Sequence, residues 1–238
     1  MSEPTDPAKV LVVSAHPDDV DFGASGSIAT WTDRKIEVVY CIVTDGSAGS
    51  ADPAVGPNEL REIRQTEQRN AAAEVGVSEL HFLGYPDGAL QVSMELRRDI
   101  SRIIRIVRPE RVVCQSPERN WDRIRASHPD HLAAGEATLQ AVYPDARNPY
   151  SYPELLASGL EPHVVDEVWL MASPRATRAV DITETVERKL AALRCHASQM
   201  ADPGSLEEMI RAWGAANAGA LGLPAGRLAE TFQVVETK

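Results

Sequence analysis

Short runs of β-branched and apolar residues alternate along this chain with longer stretches of helical character. That alternation is the pattern of a parallel α/β sheet. The runs are Val10–Ser14, Glu37–Thr44, Leu80–Leu83, Arg111–Gln115 and Glu167–Ala172. Their apolar character is nearly continuous, as in strands covered on both faces. Helices are predicted between them at Ala24–Asp33, Asn58–Val75, Met94–Val107 and Pro129–Val142, with Asn58 as an N-cap and Gly76 as the glycine closing its helix. The expected fold class is thus a Rossmann-like α/β domain with a mostly parallel sheet and helices on both faces. One domain is expected over residues 1–238, with a core at about 8–145 and a remainder, 146–238, completing the sheet and the substrate pocket.

The tail is less regular. Helices are expected from Ile182 to about Cys195 and over Leu206–Trp213, with a last strand at Thr231–Glu236. The Gly/Ala-rich stretch Trp213–Gly226 fits either a closely packed helix or a loop. Asp145–Pro162, rich in proline, reads as a long excursion off the sheet, expected near the mouth of a site.

A net charge of −11 argues against nucleic acid or an anionic membrane surface as the main partner. Cys41, Cys114 and Cys195 are widely spaced and imply no disulfide framework. The N-terminal Met1–Pro7 lacks the basic and apolar regions of a signal peptide, and no apolar run approaches the ~20 residues of a membrane helix. A cytoplasmic location is expected.

Chemistry concentrates in two clusters. His16-Pro17-Asp18-Asp19 follows the first strand, where ligands bind in open parallel sheets. His128-Pro129-Asp130-His131 opens a predicted helix, and its spacing keeps both imidazoles on one side of the turn. Together they offer two histidines and a carboxylate for a metal, with a second carboxylate left as a base. The competing reading is that one aspartate caps a helix and His16 is an ordinary surface residue. Thr44-Asp45-Gly46 and Tyr85-Pro86-Asp87-Gly88 follow further strands, and the glycine segments match no dinucleotide fingerprint. Of the other histidines, His81 reads as structural and His196 as a helix-end residue.

At these residues the chain resembles the PIG-L/LmbE family of zinc-dependent N-acetylglucosaminyl deacetylases and related amidases. The resemblance runs through Ala15-His16-Pro17-Asp18-Asp19, Thr44-Asp45-Gly46, Arg64 with Glu67, Gly84-Tyr85-Pro86-Asp87-Gly88 and His128-Pro129-Asp130-His131. It implies an LmbE-like fold, with His16, Asp19 and His131 as ligands for Zn²⁺ and Asp18 as general base. It further implies that His128 stabilises the oxyanion or protonates the leaving amine, that Asp130 orients His128, and that Arg64 and Asp87 contact substrate. Such a ligand set also accepts Fe²⁺, Co²⁺ or Mn²⁺. Beyond residue 145 the correspondence is confined to the surroundings of His196-Ala197-Ser198-Gln199.

The expected reaction is therefore metal-dependent removal of an acetyl or other acyl group from an N-acetylglucosaminyl-type small molecule. The alternatives are an amidase of a thiol-conjugated amino-sugar amide and a non-catalytic metal- or sugar-binding protein on the same fold. A nucleotide-binding oxidoreductase is suggested only by the sheet pattern. Neither nucleic acid binding nor membrane insertion is expected, and a homo-oligomer is the general expectation.

Overall fold

The computed structural model describes residues 6–50, 52, 54–200 and 203–238; Met1–Thr5, most of the segment read for a leader, lie outside these residues. Seven strands form one sheet: β1 (Lys9–Ser14), β2 (Glu37–Thr44), β3 (Glu79–Tyr85), β4 (Arg111–Gln115), β5 (Glu167–Met171), β6 (Arg178–Asp181) and β7 (Ala229–Glu236). Their order is β3-β2-β1-β4-β5-β7-β6. The first five are parallel, and β7 joins β5 and β6 antiparallel. The helices are α1 (Asp19–Gly23), α2 (Ser25–Asp33), α3 (Pro57–Glu74), α4 (Met94–Val107), α5 (Pro129–Gln140), α6 (Pro153–Ala157), α7 (Val186–Arg194) and α8 (Pro203–Ala220). Among the described residues no helix is long and apolar enough to cross a membrane.

The pleat sorts the strand side chains into two cores. Leu11, Val13, Val39, Cys41, Val112 and Cys114 pack with Leu96, Ile100 and Ile104 of α4 and Ala134 and Ala137 of α5. The alternate residues Val10, Val12, Val38, Tyr40 and Val113 pack with Ile28 and Trp31 of α2 and Ala71 and Ala72 of α3. Burial on both faces is why these strands lack a polar alternation.

The structure departs from the sequence expectations in particular places. The first helix is two helices, broken at Ala24, and begins at Asp19 rather than Ala24. Gly56 caps α3, not Asn58, because Pro57 supplies the preset φ of a first helical residue. Gly76 does take a positive φ, 82°, beyond the end of α3. The ambiguous Gly/Ala stretch is helical up to Ala220, and a Cβ at Gly214 would sit 3.2 Å from Leu228. β6 was not foreseen, because Arg178-Ala179-Val180-Asp181 is a short, half-polar edge.

The excursion at 145–162 does not reach the strand ends where the clusters lie. Its carbonyls at Asp145, Ala146, Asn148, Ser151 and Leu160 accept from the guanidinium of Arg105 on α4. His163, just beyond it, meets the Pro109 carbonyl before β4. A buried cation here satisfies a cluster of carbonyls that a loop would otherwise leave to water.

One buried ion pair ties the tail to α1 and α2. Lys189 on α7, 2% exposed, donates to the carbonyls of Asp21 and Phe22 and, at 2.6 Å, to Glu230 of β7. Glu230 also accepts from the backbone N–H groups of Gly26 and Ser27 at the start of α2. Replacing Lys189 with Met leaves this carboxylate without its counter-charge. Urea unfolding of Lys189→Met is expected to show a loss of about 3–5 kcal/mol; a loss below about 1 kcal/mol would mean that water solvates the pair.

Candidate active site

The parallel strands deliver their loops to one edge. His16 follows β1, Asp45 and Gly46 follow β2, Asp87 follows β3, and Gln115 ends β4. The start of α5 adds His128, Asp130 and His131. The two His-Pro-Asp clusters, far apart in the sequence, meet here. His16 Nδ1 lies 3.2 Å from His131 Nε2 and 3.1 Å from an Asp19 carboxylate oxygen. His131 Nε2 is 3.0 Å from the other Asp19 oxygen.

These three donors fit a metal. Tetrahedral zinc with bonds of about 2.0–2.1 Å places neighbouring donors roughly 3.3 Å apart, close to the observed triangle. The outer ring nitrogens are also engaged. His16 Nε2 faces Asp130 and Asp87, each at 3.1 Å, and His131 Nδ1 faces the Ala126 carbonyl at 3.3 Å. Each outer N–H thus has an acceptor, which leaves the inner nitrogen's lone pair free for an ion. Asp19 is fixed by donors from His16 N at 2.7 Å and Gln115 Nε2 at 2.9 Å. Gln115 was not foreseen; a strand-end glutamine carries no local signal.

The electrostatics are those of a cation basin. Burial disfavours charge on His16, but Asp19 and Asp87 outweigh it and push the ring up to about 11. His131 is likewise raised, its burial overcome by Asp19. Asp19 is held well below the usual carboxylate range, although burial opposes this, because both imidazoles face it. His128 is lowered by burial and by the charge of His16.

Asp18 differs from its neighbour. Its φ of 95° is a conformation that side chains rarely adopt. Burial and the nearby Asp19 carboxylate push its carboxyl up to about 7, against the pull of Arg64 and His196. The turn is held from behind. Asp18 N donates to Gln68 Oε1 at 2.8 Å, and Gln68 Nε2 donates to Asp21 at 2.9 Å. Asp21 also meets His196 Nε2 at 2.8 Å. The segment carrying His196 is tied to α3 through Glu67, which accepts from Ser198 N and Oγ. His196 does follow the end of α7, as expected, and it is also a fully buried partner of Asp21.

The other expected residues fall as follows. Arg64 is buried, donating to the carbonyls of Pro17 and Gly46 and lying 3.4 Å from Asp18 and 3.6 Å from Asp87. His128 caps α5: its Nδ1 accepts from Asp130 N at 3.2 Å, so the neutral ring carries its proton on Nε2. The orienting contact expected from Asp130 to His128 runs elsewhere. The Asp130 carboxylate accepts from Gly88 N and Leu90 N and faces His16 instead. Being second in the helix, Asp130 points back under the β3 loop, and only its backbone meets His128. An open polar cleft of about 300 Å³ is lined by His16, Asp18, Arg64, Asp87, His128 and His131; none of residues 145–162 borders it.

Known proteins agree with this architecture. The family described as PIG-L: GlcNAc-PI de-N-acetylase matches residues 11–142. A diacetylchitobiose deacetylase of Thermococcus kodakarensis is 36% identical over 200 residues, covering 84% of this chain and 73% of that protein. A probable N-acetyl-alpha-D-glucosaminyl L-malate deacetylase 2 of Bacillus anthracis is 33% identical, with 81% of each covered. The solved N,N'-diacetylchitobiose deacetylase of Pyrococcus horikoshii superposes with a TM-score of 0.89 at 31% identity, over 97% of this chain and 85% of that one. On the match of more than half its length, spanning both His-Pro-Asp clusters, this chain belongs to the PIG-L family.

Proposed function

We propose that this protein is a metal-dependent hydrolase that removes the acyl group from an N-acetylglucosaminyl-type amino-sugar, with the metal held by His16, Asp19 and His131. The observation that carries this reading is the triangle of three fixed donors beside an unpaired-for-ligation carboxylate, Asp18, in a cleft with hydroxyl-matching groups. The deacetylases among the relatives support the reaction class.

A divalent ion held by His16, Asp19 and His131 would supply Lewis acidity for the amide carbonyl and for a water. Asp18 takes the proton from the attacking water at its carboxylate. Arg64, 3.4 Å away, holds that carboxylate in place. His128 presents its Nε2–H to the developing oxyanion, since its Nδ1 is occupied by the backbone of α5. Collapse of the tetrahedral adduct breaks the C–N bond, and Asp18 returns the proton to the leaving nitrogen. Arg64 and Asp87 line the same cleft and are assigned to the sugar hydroxyls. A mononuclear zinc site is the first choice from this donor set, and a soluble small-molecule substrate suits the open polar cleft.

Asp18→Asn is expected to retain one metal per chain by elemental analysis while amine release from N-acetylglucosaminyl compounds falls by about 10²–10⁴-fold. Full turnover in this variant would reject Asp18 as the base. Chelation is expected to abolish amine release and added Zn²⁺ to restore it, whereas His131→Ala should lose the metal itself. An unchanged metal content in His131→Ala would sink that ligand assignment. Gln68→Leu removes the support of the Asp18 turn without touching a donor to the ion. It is expected to lower kcat about 10- to 100-fold with KM and metal content preserved; an unaltered kcat would make the Gln68 contact merely structural.

A further inference from the structure

The donor triangle has a second face. Asp19 and His131, but not Asp18, form part of the wall of another cavity of about 460 Å³, whose remaining wall includes Phe22, Met171, Met209 and Trp213. Among the described residues, only His131 and Arg125 border both this chamber and the polar cleft. We infer that the chamber receives the acyl arm of the substrate and accepts hydrocarbon chains longer than acetyl. The inference rests on the proposed amide hydrolysis.

The argument is one of two arms and two cavities. The carbonyl carbon of a bound amide carries the amino-sugar on one side and the acyl group on the other. The hydroxyl-rich arm matches Arg64 and Asp87 of the cleft. With the carbonyl at the donor triangle, the acyl arm then leaves past His131 into the chamber. A methyl group is comparable to one water, about 30 Å³, and leaves most of this space unfilled. The volume instead lies within the range of about 300–1,000 Å³ in which pockets engulf whole ligands. The wall chemistry agrees. Met171 and Met209 are polarisable and adaptable, and Met209 is 49% exposed, an apolar side chain in want of cover. Trp213 lies beneath the guanidinium of Arg123, 4.2 Å from the ring centre. The arginines Arg123 and Arg125 beside it disfavour a cationic acyl group. Hydrolysis of such a substrate breaks the C–N bond, with the water oxygen bonding to the acyl carbon. A fatty carboxylate and a free amine result.

The test is amine release by the zinc-loaded full chain from N-acetyl-, N-butyryl-, N-hexanoyl- and N-octanoyl-glucosamine below their micellar concentrations. The kcat/KM is expected to rise about two- to fourfold per added methylene up to hexanoyl. Met209→Asp, a change at a half-exposed position that leaves the core intact, is expected to cut the hexanoyl-to-acetyl ratio by about tenfold. Turnover of the acetyl compound with hexanoyl slower by about tenfold or more would overturn the inference while leaving the deacylase reading standing. A hexanoyl preference untouched by Met209→Asp would also overturn it, by placing the chain elsewhere. Failure to cleave any member, acetyl included, would overturn the reading of the site and this inference with it.

Discussion

A carboxylate with no solvent exposure, Asp21, is the group on which the rest of the site depends. Taking a carboxylate out of water is costly, so its donors are obligatory rather than optional. Gln68 and His196 fill that role, from α3 and from the segment after α7. The same residue's backbone carbonyl receives Lys189. The placement of α1, α3 and α7 is therefore set jointly, and the turn that projects Asp18 and Asp19 inherits its precision from all three.

This explains how a strained turn persists. Holding a residue other than glycine at positive φ costs on the order of 1–3 kcal/mol. At Asp18 the cost is met by a backbone donor fixed on Gln68, by Arg64 on the Pro17 carbonyl, and by the sheet beneath. The reward is geometric. Two adjacent carboxylates point apart, Asp19 toward the imidazoles and Asp18 toward the cleft.

The sheet and the two His-Pro-Asp clusters were legible in the sequence because both signals are local. A buried parallel strand must be apolar throughout, and ligands bind beyond its carboxyl end, so the cluster after β1 drew attention, while the choice of Asp19 over Asp18 and the pairing with His131 came from the family resemblance. The supporting residues did not. Asp21 and His196 stand 175 positions apart and Asp18 and Gln68 50 apart, and nothing in the local pattern of either pair hints at a partner. The segment around His196 to Gln199 resembled the family, but its spacing could not say that it sits behind the Asp18 turn. The direction of Asp130 was likewise hidden, since whether a second helical residue faces its cap or the neighbouring loop is decided by tertiary packing. The proline-rich excursion misled for a related reason: what keeps it from the site is Arg105, a single buried cation on a distant helix.

His131 belongs to both cavities, and it partitions the protein in a way the element order does not. Every proposed metal donor, and the proposed base beside them, lies before residue 132, whereas Met171, Met209 and Trp213 come from β5 and α8. Drift in the later part of the gene can reshape one compartment while the reacting groups stay untouched.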